Sequence, residues 1–174
     1  MLRSQQRPSF SAQQRQAALG KHRGLLVFSL GGRHVAARTE DIAGVRAWPE
    51  AMPVPSDTPF VTSLVRLDTD CVPVYDLAAK LNRRVNPVGA LCLIIKHEDG
   101  PMAVCIDPSV PSLHMVDSST IQERASDESD IAGMCSVGDE QLSIIHLARL
   151  GKGASPEASG ISQPCVRTNS CRRS

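Results

Sequence analysis

Aromatic side chains are scarce in this sequence. Its 174 residues hold one Trp, one Tyr and three Phe, so any core must be assembled from Val, Ile, Leu, Ala and Met. No apolar run approaches the ~20 residues that a membrane-spanning helix needs, and a soluble protein is expected. Residues 1–23 are rich in Gln, Ser and Arg and lack the apolar stretch of a secretory signal. Six cysteines are present, yet no C-x-x-C occurs and no Cys/His spacing fits a zinc site. Cys71, Cys92, Cys105 and Cys135 lie in apolar, strand-like runs, where a free Cys acts as a small hydrophobe. A reducing cytoplasm is therefore the simpler compartment.

Catalytic signatures are also missing. There is no glycine-rich phosphate loop and no metal-ligand cluster. His34, His97 and His146 each stand beside an apolar strand or turn, with no acid or nucleophile partner fixed by sequence; such histidines are ordinarily strand-end or surface residues. Gly133 to Gly138 superficially resembles a nucleophile elbow, but Met134 stands where that motif needs glycine, and a strand follows rather than a helix. No cofactor, metal or enzymatic activity is expected.

Charge is present but unevenly spread. Residues 1–24 carry five bases and no acid, residues 151–174 carry a net +3, and the total is +1, which leaves −7 on residues 25–150. An acidic body between two basic arms follows. The arms could touch an anionic surface, but plain solvation is the simpler reading; nucleic acid is not an expected partner. Residues 1–23 read as a disordered basic arm, 24–150 as one domain, and 151–174, dominated by Gly, Ser and Pro, as a disordered tail.

Within the body, short apolar runs alternate with turn signals about every ten residues, the pattern of an all-β barrel architecture. Leu25–Leu30 and His34–Ala37 flank Gly31-Gly32, a pair able to take positive φ. Thr39 or Asp41 can cap a turn before the strand Ile42–Trp48, and four prolines between 49 and 59 mark a loop. Phe60–Leu81 is the most ordered stretch: an apolar strand, the polar turn Asp68-Thr69-Asp70, a second strand through Tyr75, then a short helix that Asp76 can cap. Pro73 has no N–H to give, so its strand should be an edge or carry a bulge. Ala90–Ile95 is nearly all apolar, as for a strand buried on both faces. Asp99-Gly100 marks a further hairpin, Ser118–Asp130 a polar loop, and Ile131–His146 a last hairpin ending in a short helix at Leu147–Leu150.

The order of the central stretch resembles the middle of the CheW family, coupling proteins of bacterial chemotaxis, which reads G-V-x-N-L-R-G-x-x-x-P-V-x-D-L. The matching residues are Ser63-Leu64-Val65-Arg66-Leu67-Asp68-Thr69, then Asp70-Cys71-Val72, then Pro73-Val74-Tyr75-Asp76-Leu77. Apolar positions fit; Arg66 stands for Asn, Asp68 for Arg, and Ser63 and Thr69 for Gly. The resemblance covers about residues 24–150 and implies two small SH3-like five-stranded barrels packed together, with short helices. It further implies a non-enzymatic adaptor joining the regulatory domain of a CheA-type histidine kinase to the cytoplasmic tip of methyl-accepting chemoreceptors, at the inner face of the membrane. Swimming chemotaxis and pilus motility fit equally well.

By the same resemblance, the interface residues are Gly44, Val45, Val65, Arg66, Leu67, Asp68, Thr69, Asp107 and Val110. The family pairs an acid with the Arg of N-L-R-G; Gly44 and Asp68 occupy those two places, so both charges are expected to be absent together, with no unpaired charge left behind. The alternative is an aspartic-protease-like β-barrel using Asp68, since Leu-Asp-Thr followed by Gly marks those enzymes. Asp70 stands where that glycine belongs.

Overall fold

The computed structural model describes residues 22–124 and 130–151. They form twelve strands in two six-stranded sheets. The first sheet contains β1 (His22–Leu30), β2 (Arg33–Arg38), β9 (Ser112–Asp117), β10 (Gln122–Glu123), β11 (Ile131–Val137) and β12 (Glu140–Ile145), in the order β10-β11-β12-β2-β1-β9. The second contains β3 (Ile42–Ala47), β4 (Ala51–Pro53), β5 (Val61–Leu67), β6 (Asp70–Tyr75), β7 (Leu91–Ile95) and β8 (Met102–Ile106), in the order β3-β7-β8-β6-β5-β4. The chain thus starts one sheet, builds the whole of the other, and returns to finish the first. Pairings are antiparallel except β2 with β12 and β6 with β8.

Strand periodicity explains the three cores. Side chains alternate across a strand, and in β1 the even residues Leu26, Phe28 and Leu30 join the core shared by the sheets, while Leu25 and Val27 join a core inside the first sheet. In β7, Leu91, Leu93 and Ile95 enter the shared core, and Cys92 and Ile94 enter the core of the second sheet. The apolar runs are therefore continuous because these strands are covered on both faces. Each sheet curls around its own core. Arg46, on the edge strand β3, reaches Asp68 at the far side of the second sheet, with Nη1 to Oδ2 3.3 Å. In the first sheet Arg38 and Arg23 meet Glu123 of β10 at 3.4 and 3.9 Å.

Both short strands lie in segments read from sequence as loops. The proline-rich stretch includes β4, and the polar stretch after Asp117 includes a 3-10 turn, Ser118–Thr120, followed by β10. They bring each sheet from five strands to six. Pro73 also takes an inner place rather than an edge, since β6 lies between β5 and β8; it pairs with Leu64, and β8 joins only at the next residue, Val74. The bulge of that hairpin falls elsewhere, between Val61 and Ser63. Asp76 caps α1 (Leu77–Lys80) as expected, its Oδ1 accepting from Ala79 N–H at 2.8 Å. Thr39 and Asp41 do not cap the 3-10 turn they belong to: its N-cap is Arg38, without a side-chain bond, and Thr39 Oγ1 donates to Gly24 O instead. The final short helix is a 3-10 turn, Leu147–Arg149. The basic arm and the Gly-, Ser- and Pro-rich tail expected from composition lie outside the described residues, apart from residues 22, 23 and 151.

Candidate protein-docking surface

The nine expected interface residues divide by exposure. On β3, Gly44 is half-buried and Val45 is 40% exposed. On β5, alternation sends Val65 and Leu67 into the core of the second sheet and Arg66 outward. The turn residues Asp68 and Thr69 are exposed, and Asp68 adopts φ 56°, a left-handed conformation in which Asp is among the less penalised non-glycine residues. Val65 and Leu67 therefore support the rim from below, and Val45, Arg66, Asp68 and Thr69 form its surface.

Arg46 belongs to that surface and was missed by the sequence reading. Its guanidinium meets both carboxylate oxygens of Asp68, at 3.4 and 3.3 Å. The expectation of a charge-free position is thus overturned: a pair is present, with the base on β3 and the acid on the turn. The contact closes the second sheet on itself, so strand assignments alone could not reveal it. Both side chains are well exposed, and such pairs contribute about 0.2–1 kcal/mol. A double-mutant cycle with Arg46→Ala and Asp68→Ala is expected to give a coupling to stability within that range, measured by urea unfolding; a coupling above about 2 kcal/mol would contradict an exposed pair.

Asp107 and Val110 lie at a second place. Asp107 Oδ2 accepts from Ser29 Oγ at 2.6 Å and from Gly32 N–H at 2.8 Å, while Asp107 N–H donates to Ser29 O at 3.0 Å. Burial tends to raise the carboxyl's pKa, but bonds from Gly32, Ser29 and Gly31 outweigh it and hold the pKa below the ordinary value. This carboxylate clamps the β1–β2 turn to the end of β8. Val110, 88% exposed, follows it. The edge strand β9 then presents Leu113 and Met115, which are exposed large apolar residues. They sit opposite Leu26 and Gly24 of β1 and thus share a face with Leu26.

His34 finds a non-local partner, its Nδ1 meeting Glu140 Oε2 at 3.0 Å, whereas His97 bonds locally, its Nδ1 accepting from Asp99 N–H at 3.2 Å. Neither pair includes a nucleophile. Asp68, facing Arg46, is not arranged as one of two carboxylates sharing a proton. Among the described residues no three His, Cys, Asp or Glu gather in a way that would hold a metal ion, and no helix is long and apolar enough to cross a membrane. Burial pushes the thiols of Cys92 and Cys105 up to about 11 and about 12, so these cysteines are protected hydrophobes rather than nucleophiles.

Two curled sheets back to back over a shared core, with an exposed charged rim and an apolar edge strand, define an all-β paired-barrel domain. The model of the CheW-like domain matches residues 24–152, and the chain belongs to the CheW-like domain family. Its fold is similar to that of the scaffolding protein TtCheW from Thermoanaerobacter tengcongensis, with a TM-score of 0.63 at 19% identity, over 73% of this chain and 86% of that one. No curated protein matches the chain.

Proposed function

We propose that this chain is a non-catalytic adaptor of a bacterial chemosensory complex. It joins the regulatory domain of a CheA-type histidine kinase to the cytoplasmic tip of methyl-accepting chemoreceptors, and is recruited through them to the inner face of the membrane. Family membership supports the adaptor class, and the exposed rim of Val45, Arg46, Arg66, Asp68 and Thr69, with the half-buried Gly44 beside it, carries the reading. It offers apolar surface beside a charge pair, the composition of a specific but reversible contact. Leu67 and Val65 fix the rim from the core side, and Asp107 fixes the turn beside which Val110 is presented. A kinase contact of barrel on barrel would bury about 1,000–1,600 Å² in total. The basic residues of the N-terminal arm add contact with anionic surface.

The order of the charge pair makes a sharp forecast. Asp68→Arg alone sets two guanidiniums against each other, and receptor affinity is expected to fall by up to roughly fivefold, about 1 kcal/mol. Arg46→Glu together with Asp68→Arg rebuilds the pair with its charges exchanged and should recover part of that loss. Kinase binding is expected to be unchanged in both. Titration of the purified chain against the kinase and receptors of the same organism, by interferometry, measures all three. If the folded chain retains neither partner at micromolar concentration, the adaptor reading fails.

A further inference from the structure

A groove of about 790 Å³ runs along the outer side of β5 and β6, bounded by the 54–58 loop, the turn between β7 and β8, and Leu150-Gly151. Val54, Pro55, Leu64, Pro73 and Leu150 make its lining largely apolar. Asp70 and Asp99 also line it, and among the described residues no Lys or Arg does; Arg66, the register partner of Cys71, stands just outside. His97 is in the same wall, its side chain 4% exposed and its Nε2 without a hydrogen-bond partner. Its Nδ1 accepts from Asp99 N–H at 3.2 Å, which fixes the ring in the wall.

We propose that this groove takes an extended basic segment, and that its occupant is the chain's own C-terminal segment, residues 152–174. The segment begins at the groove itself, since Gly151 is part of the lining. It carries Lys152, Arg167, Arg172 and Arg173 against Glu157 alone, with Ile161 and Val166 for the apolar lining. Positive segment and acidic groove are complementary. Tethering at the rim gives an effective concentration of the order of millimolar, so a weak intrinsic affinity is enough to keep the groove covered. The groove adjoins the rim at Arg66 and Asp70, but the proposal does not rest on the adaptor reading.

Native cysteines provide the test. Cys71 lines the groove and is exposed, and Cys165 and Cys171 lie in the segment. The full-length chain is treated with diamide, which takes up the two electrons and two protons released as two thiols join. Peptide mapping by mass spectrometry then locates the disulfide. Docking predicts a Cys71 link to Cys165 or Cys171 within one molecule, at a yield independent of protein concentration. Asp70→Lys with Asp99→Lys should lower that yield at least about fivefold while the circular dichroism spectrum stays unchanged, and 0.5 M salt on the native chain should lower it too, because exposed charges are screened. A Cys165–Cys171 bond in place of the Cys71 link, a link only between two copies, or a yield indifferent to both charge reversal and salt would overturn the proposal.

Discussion

Asp107→Ala is expected to lower stability by about 2 kcal/mol, visible as a shift of the urea midpoint at unchanged m-value. The carboxylate accepts bonds from Ser29 Oγ and Gly32 N–H, and Ser29 is buried. Removing it takes the acceptor from the buried Ser29 hydroxyl in a part-buried site, and the lost bond with part of that group's desolvation penalty falls on the folded state. Asp107→Asn keeps an acceptor oxygen and should lose less. The pH dependence has a definite sign. The folded pKa is depressed below 3.8, so the folded state binds fewer protons than the unfolded chain in that range. The contribution is present above the unfolded value and is lost as pH falls through the folded one. The stability difference between native protein and Asp107→Asn should hold steady from neutral pH down to about 5 and shrink below about 4. A difference that persists undiminished at the lowest pH where both fold would show that the charge is not what holds the turn.

Gly133→Ala is the second large effect. A Cβ at this position would stand 2.5 Å from Gln122 O and 3.1 Å from Glu123 Cα. Both obstacles are backbone, so no side-chain rotation relieves the clash, and β10 must move. It is held by register pairs Gln122↔Met134 and Glu123↔Gly133 and by the bond from Arg124 N–H to Ala132 O at 2.9 Å. Overpacking of this kind costs about 1–3 kcal/mol, and loss of the short strand also removes Glu123 from Arg38. Hydrogen exchange of the Arg124 amide should accelerate sharply while β1 amides hold their protection. Gly44→Ala is the matching control: its Cβ meets nothing within 4 Å, and stability should stay within about 0.5 kcal/mol. Equal effects of the two substitutions would contradict the pairing of β10 with β11.

Local chemistry made much of the fold legible in the sequence. Gly31-Gly32 takes positive φ at both residues, Asp76 caps its helix, and apolar runs at 25–30 and 90–95 are strands covered on both faces. Two classes of feature were not legible. Strands of two or three residues carry too little periodicity to be read, hence β4 and β10. Contacts between residues distant in the chain leave no local trace. The Arg46–Asp68 pair forms only because the second sheet closes, and Asp107 meets Ser29 only because the two sheets pack. The order of strands within a sheet also escaped, and with it the inner place of Pro73.

The parallel pairing of β2 with β12 has a consequence for biosynthesis. A ribosome releases β1 and β2 first and β12 last, with the whole second sheet made in between. Until β12 emerges, the flank of β2 opposite β1 presents unsatisfied amide and carbonyl groups, a template for stray chains. The contiguous β3–β8 block needs nothing made later to pair its own strands, so it is the natural unit to order first during elongation. Closure of the first sheet then waits on pairing Ala36 and Ala37 with Ile144 and Ile145, the kind of non-local joining that slows folding. A nascent chain arrested before residue 140 should bind a holdase chaperone more avidly than the finished protein.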